Sequence, residues 1–312
     1  MSNAHSQTMF AKYLKRKQSV SLICEHFTTQ DNDFVELAWT SKPDHHNPKP
    51  IVVVLHGLEG SKNSHYAKGM LDAIADKGWH GVLMHFRGCG EQQNQNGTSY
   101  HSGDTKDIAY FSDYLAQTYP DHPKALIGFS LGGNVTVKYL GEHANNPYRV
   151  ASAICAPLDL ASCSRCISKG FSKVYENYLL NMLKKSTINK VNAQKLKELS
   201  VSKIQSLNSI WQFDDYVTGP INGFKNALDY YQKSSGKQFL THIKQPFLVV
   251  HAQDDPFLSH QDIVSLPQDL PQNINFEVSS KGGHVGFVAG NNPFKPIFWL
   301  EQRVPEFLAK YL

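Results

Sequence analysis

The 312-residue chain has no apolar run near the ~20 residues needed to span a bilayer as a helix; runs such as Ile51 to Leu55 have strand length. Met1 to Thr8 is polar and lacks the apolar stretch of ~7 to 15 residues that marks a cleaved export signal, so the expected location is cytoplasmic. A strong charge of one sign is missing too. The balance of 31 Lys plus Arg against 27 Asp plus Glu leaves +4, too small and too dispersed to argue for a nucleic-acid partner. Cysteine is scarce: Cys24, Cys89, Cys155, Cys163 and Cys166 are an odd number without regular spacing, which fits reduced thiols rather than a disulfide framework. Cys163 and Cys166 form the one close pair, with no second pair at zinc spacing, and read as two small helix residues rather than a metal site. Internal repeats and low-complexity tracts are absent as well.

What is present is enough apolar material, 41% of the chain, for a large α/β domain with an insertion or for two domains. Val35, Leu37 and Trp39 alternate with polar or small neighbours and predict a half-buried strand, and Ile51 to Leu55 predicts a fully buried one. A helix over Tyr66 to Lys77 stops at Gly78, and a strand follows from Val82 towards Phe86. Asp104 suits the N-cap of a helix that carries Ile108, Phe111 and Leu115 on one face. Ala125 to Phe129, Val150 to Cys155, Phe247 to Val250 and Ile274 to Val278 continue the strands, with helices at Gly132 to His143 and Trp299 to Tyr311. The alternation predicts a mostly parallel sheet flanked by helices.

Between Cys155 and Phe247 the rhythm breaks, and that interval is expected to be a helical lid. The boundaries are residues 1–157 for the first part of the core, 158–243 for the insertion and 244–312 for the second part. Val174, Tyr178 and Met182 fall on one helical stripe beside Leu179 and Leu183, a pattern that usually marks core, with direct contact to substrate as the alternative.

Gly128-Phe-Ser-Leu-Gly132 follows a buried strand and precedes a helix, the context in which G-x-S-x-G makes its serine a nucleophile. Glycines two residues to either side remove side chains that would strike the neighbouring strand and helix. A serine hydroxyl needs a base within hydrogen-bond reach and a carboxylate to orient that base. Chain order offers His284, after Gly282-Gly283, and either Asp254 or Asp255 after the strand ending at Val250. Asp255 is preferred, although the two neighbours are not cleanly separated by their residues alone. The oxyanion donors are expected to be the amides of Leu131 and of Leu58, the latter in His56-Gly-Leu-Glu-Gly60. Gly57 to Lys62 lacks phosphate-loop spacing, so no nucleotide is expected there.

Together His56-Gly-Leu-Glu-Gly60, Phe86-Arg-Gly-Cys-Gly90, His101-Ser-Gly-Asp104, Gly128-Phe-Ser-Leu-Gly-Gly-Asn134, Pro157-Leu-Asp-Leu160, Asp254-Asp-Pro-Phe257 and Gly282-Gly-His-Val-Gly-Phe287 resemble the YheT-like α/β-hydrolases, AB-hydrolase family 4. Asn3-Ala-His-Ser-Gln-Thr8 resembles that family's N-terminal element. The resemblance implies an α/β-hydrolase fold, Ser130 as nucleophile, His284 as base and Asp255 as acid, the last from the register in which His251-Ala252 precedes the acid loop. It also implies hydrolysis of carboxylic esters, acyl or short- to medium-chain lipid esters among them, without metal or organic cofactor. An acyltransferase or a non-catalytic binding module on the same fold are the alternatives.

Two further features bear on the substrate. Phe10, Tyr13 and Leu14 interleave with Lys12, Lys15, Arg16 and Lys17, a basic amphipathic pattern of the kind that approaches anionic membranes, although a solvated helix face uses the same residues. Lys184, Lys185, Lys190, Lys195 and Lys197 in the insertion suit a polar or anionic head, or simply a wetted surface. Asp214 and Asp215 read as capping or ion-pair groups. Head group, acyl length and oligomeric state are not written in the residues.

Overall fold

The computed structural model describes residues 3–13, 19–264, 266, 270–290 and 296–312. After helix α1 (Ala4–Tyr13) come strands β1 (Ile23–Thr28), β2 (Phe34–Trp39) and β3 (Ile51–Leu55), then α2 (His65–Asp76), β4 (His80–Met84), α3 (Lys106–Thr118), β5 (Lys124–Phe129), α4 (Leu131–Glu142) and β6 (Tyr148–Ile154). Six helices follow before the next strand: α5 (Leu160–Ile167), α6 (Lys173–Asn192), α7 (Val201–Ser206), α8 (Ile210–Phe213), α9 (Gly219–Ile221) and α10 (Ala227–Ser234). The chain closes with β7 (Phe247–Ala252), α11 (His260–Val264), β8 (Ile274–Ser279), the short strands β9 (Val288–Ala289) and β10 (Ile297–Phe298), and α12 (Trp299–Leu308). The main sheet has the order β1-β2-β4-β3-β5-β6-β7-β8. From β4 onward neighbours are parallel, whereas β1 and β2 run antiparallel at one edge.

The sheet is covered on both faces because its central strands are apolar on both. Ile51, Val53 and Leu55 point to one side, where Ile108, Phe111 and Leu115 of α3 and Val135 and Tyr139 of α4 meet them. Val52 and Val54 point to the other, against Met70, Leu71 and Ile74 of α2 and Leu300, Val304 and Phe307 of α12. The helices between β6 and β7 bury a separate set of side chains, among them Leu180, Leu196, Ile204, Phe213 and Val217.

Three local expectations change. Strand β2 is buried on both faces, not half-buried, since even Glu36 is enclosed, its carboxylate 3.4 Å from the Lys62 ammonium and accepting the Glu91 amide at 3.1 Å. Strand β1 has no counterpart in the sequence reading: it is an edge strand with mostly exposed residues, so it leaves no alternation to read. The cap of α3 falls on Thr105, and Asp104 accepts the Lys106 amide one residue earlier than expected of a cap. Of the basic amphipathic N-terminal pattern, residues 14–18 and the side chains of Phe10 to Tyr13 lie outside the described residues. No helix among the described residues is long and apolar enough to cross a membrane.

The β5–α4 turn is the tightest feature of the fold. A Cβ on Gly128 would lie 2.2 Å from the Gly132 carbonyl oxygen, and one on Gly132 would lie 2.5 Å from the His56 carbonyl oxygen. Gly128→Ala is therefore expected to lower the unfolding free energy by about 3 kcal/mol or more in urea denaturation. Gly78→Ala, at a φ of +74° with nothing within 4 Å, is expected to cost only about 1 kcal/mol. Equal losses at the two positions would contradict this account of the turn.

Candidate active site

Ser130 sits between β5 and α4 with φ 51° and ψ −120°, a conformation that side chains rarely adopt. The turn persists because it is tied on both sides: the Ser130 amide donates to the Ile154 carbonyl at 2.8 Å, and its carbonyl accepts the Gly133 amide at 2.9 Å. Strain of this kind costs about 1–3 kcal/mol and is offset by those bonds and by the packing of α4. Its effect is to lift Oγ clear of both elements.

His284 lies on the loop after β8, with Nε2 2.9 Å from Ser130 Oγ and Nδ1 2.8 Å from Asp255 Oδ2. Since a carboxylate only accepts, the Nδ1 proton points at Asp255 and Nε2 is left to accept from the serine. The Asp255 Oδ1 accepts the Phe257 amide at 2.8 Å, and the Phe257 ring lies on the imidazole at a centroid distance of 4.0 Å and an interplanar angle of 13°. Asp254 has a different task. Its Oδ1 accepts the amides of Gly282 at 2.8 Å and Gly283 at 2.9 Å, so adjacent carboxylates divide the work between holding the imidazole and holding its loop. Cys155 lies behind them, its sulfur accepting the Val285 amide at 3.4 Å. Its Sγ comes within 4.8 Å of ligand atoms of Asp255 and His284, a grouping that could hold a cation. Burial and the nearby Asp255 push the thiol well above its usual range, however, and the other two side chains are already bonded to one another.

The loop after β3 passes close to Ser130, with an added Cβ on Gly57 only 3.1 Å from the serine Cβ. The amides of Leu58 and Leu131 have no intramolecular acceptor among the described residues. Sequence reasoning passed over the side chains that set this loop. His56 Nε2 accepts the Phe86 amide at 3.0 Å, which places its proton on Nδ1, directed at the Gly57 carbonyl 2.7 Å away. Burial, reinforced by His85, depresses the His56 imidazole to about 3, so it is neutral. The Tyr66 hydroxyl accepts the Gly57 amide at 2.8 Å, and the Tyr100 hydroxyl accepts the Glu59 amide at 2.7 Å while donating to the Glu59 carboxylate at 2.9 Å. Only the glycine-flanked spacing was legible; Phe86 and Tyr100 come from distant segments.

A cavity of about 920 Å³ opens above Ser130 and His284. The stripe of α6 that suggested core is instead a wall of this cavity: Val174, Tyr178, Leu179 and Met182 line it, with Val174 54% and Tyr178 51% exposed. Glu59, Ser61, Asn63, His65 and Lys68 line the same cavity. None of the five insertion lysines lines it. Lys190 is buried, donates to Thr98 O at 2.6 Å and Ser99 Oγ at 2.8 Å, and is lowered to about 8 by that burial; Lys195 and Lys184 bind the carbonyls of Asn94 and Gln205. These three lysines tie the helices between β6 and β7 to the segment before α3 and to one another. Asp215 caps α10 through the Ala227 amide at 3.0 Å, and Asp214 accepts the Tyr231 hydroxyl at 2.6 Å, with burial raising it to about 6. Cys163 and Cys166 are unpaired helix residues.

A family model described as the alpha/beta hydrolase fold matches residues 50–290. The chain is 40% identical to the Escherichia coli (strain K12) protein YheT, over 100% of this chain and 92% of that protein. It is 29% identical to the monoacylglycerol lipase of Saccharomyces cerevisiae over 77% of this chain, which spans 55% of the lipase's length. Among solved structures, the Pyrococcus furiosus esterase Pf2001 superimposes with a TM-score of 0.60 over 94% of each chain at 18% identity, a likeness of fold.

The neutral His56 has a consequence for acid stability. Between about pH 6.5 and 3 an unfolded His56 binds a proton that the folded one refuses, so its contribution is present above 6.5 and is lost as pH falls. His101, held near 3, and His251, held near 4, act in the same sense. Urea unfolding at pH 7, 6 and 5 is expected to show a smaller loss of stability on acidification for His56→Gln than for the wild type. Parallel pH slopes would show that His56 is not held neutral.

Proposed function

The chain belongs to the α/β-hydrolase family, as an esterase- and lipase-like member related to YheT, and on that footing we propose that it is a serine carboxylic-ester hydrolase working through an acyl-enzyme on Ser130. The observation that carries this reading is the unbroken hydrogen-bonded chain from Ser130 Oγ through both nitrogens of His284 to Asp255.

In the first half of the cycle Oγ attacks the ester carbonyl carbon while its proton passes to His284 Nε2, and the carbonyl electron pair moves onto oxygen. The amides of Leu58 and Leu131 accept that charge as hydrogen-bond donors, aided at Leu131 by the N-terminus of α4. Collapse of the tetrahedral species breaks the bond to the alcohol oxygen, which leaves with the proton from Nε2. A water then gives its proton to the same nitrogen and attacks the acyl carbon, releasing the carboxylic acid and returning the proton to Ser130. The net change is ester plus water to acid plus alcohol. Asp255 keeps the Nδ1 proton and stabilises the imidazolium between the two halves.

The mixed apolar and polar lining of the cavity supports an ester with an apolar acyl part and a polar remainder. Val174, Leu179 and Met182 offer the acyl chain its wall, and the loop from Glu59 to Lys68 faces the alcohol portion. We read residues 158–243 as the lid that supplies the apolar wall. The yeast relative's name, a lipase for monoacylglycerols, is in keeping with this substrate class.

A chain-length series of chromogenic esters tests the proposal. Wild type is expected to turn over short- and medium-chain members, and Ser130→Ala to lose about 10⁴-fold or more in kcat. Added alcohol distinguishes hydrolysis, which yields acid only, from acyl transfer, which yields a new ester. Equal turnover by wild type and Ser130→Ala would overturn the mechanism.

A further inference from the structure

We propose that the N-terminal helix α1 is part of the machinery that positions the base, with Gln7 and Thr8 holding the His284 loop in reach of Ser130; the inference rests on the reading of His284 given above. The loop does not favour its own shape. Three of its residues take positive φ, Gly283 at 57°, Val285 at 52° and Phe287 at 42°, and two of these carry bulky side chains for which that region is disfavoured. Such a path persists only where outside contacts hold it.

Those contacts are arranged amide by amide. Asp254 holds Gly282 and Gly283, and Cys155 holds Val285, all from the strand ends beneath. The amide of His284 itself is held from the far end of the chain, by the Thr8 hydroxyl at 2.9 Å, which in turn donates to the Ala4 carbonyl at 2.9 Å. Beyond it, the buried Gln7 side chain pairs with Val288 as a strand neighbour would, accepting its amide at 2.8 Å and donating to its carbonyl at 3.0 Å. The glycines of the loop fit this docking. A Cβ on Gly283 would lie 2.6 Å from the Ala4 carbonyl oxygen, and one on Gly286 would lie 2.4 Å from that of Gln7. On its other side α1 meets the insertion, where His5 Nδ1 lies 3.1 Å from the Tyr175 hydroxyl and the imidazole packs on Phe171 at 4.4 Å between centroids. The N-terminal helix thus spans the base loop and the wall of the cavity.

A helix that only covered the loop would change stability when altered, whereas one that positions His284 changes the chemical step. Thr8→Val keeps the size and removes the acceptor for the His284 amide. It is expected to lower kcat on a soluble chromogenic ester by about 10- to 100-fold with KM within about twofold, and to slow fluorophosphonate labelling of Ser130 in proportion. Thr8→Ser, which restores the hydroxyl, is expected to recover most of that loss. Hydrogen exchange read by mass spectrometry is expected to speed up in residues 282–288 of Thr8→Val and Gln7→Ala, and to stay unchanged in β7. Wild-type kcat and unaltered exchange in both variants, or a loss that Thr8→Ser does not repair, would overturn the proposal. If the wild type itself neither hydrolyses esters nor takes the probe, the nucleophile assignment fails. The exchange of residues 282–288 then still decides whether α1 holds the loop.

Discussion

The rest of the structure depends on how closely the chain at Gly128 to Gly132 approaches the end of β3. With hydrogens at both flanking positions, α4 starts against the carbonyls of Leu55 and His56, and Ser130 is forced into a backbone conformation it would not choose. That single contact does two things at once: it leaves Oγ in reach of His284, and it brings the β3 loop alongside the serine. The sheet on either side is built to bear the strain, since β3 and β5 pair in register through Leu55 and Gly128 and both are buried throughout. A local violation of backbone preference is stabilised by two strands that are buried along their whole length.

The loop that carries His284 follows the same logic with different means. No helix or strand runs through residues 282–287, so much of the loop is held by side chains that accept its amides, contributed by the β7 end, the β6 end and α1. The two aspartates after β7 illustrate the economy of the arrangement. One faces the imidazole and the other faces the loop that carries it, so adjacent positions in the turn after β7 serve both needs.

Much of this was legible in the sequence because burial leaves a mark on composition. Strands β3 and β5 to β7, covered on both faces, appear as apolar runs, and the pentad appears as glycines whose absence of side chain is required by contact. What could not be read falls into three kinds. Edge strand β1 carries no alternation because neither of its faces is fully covered. The stripe of α6 has the spacing of a core face, yet a cavity wall demands the same apolar side chains, so periodicity cannot separate the two. Polar partners such as Lys190, Tyr100, His56 and Thr8 act across long stretches of chain, and a lysine that binds two oxygens of a distant loop looks, in sequence, like one that faces water.

The central proposal is spatial: that Ser130 Oγ, the His284 imidazole and the amides of Leu58 and Leu131 surround one point where a carbonyl carbon can sit. A crystal structure of the protein treated with an alkylphosphonate ester tests it directly. The account predicts phosphorus bonded to Ser130 Oγ, a phosphoryl oxygen within hydrogen-bond distance of both amides, and the alkyl chain against Val174 and Leu179. Phosphorus on another residue, or on Ser130 with its oxygen turned away from Leu58 and Leu131, would contradict it.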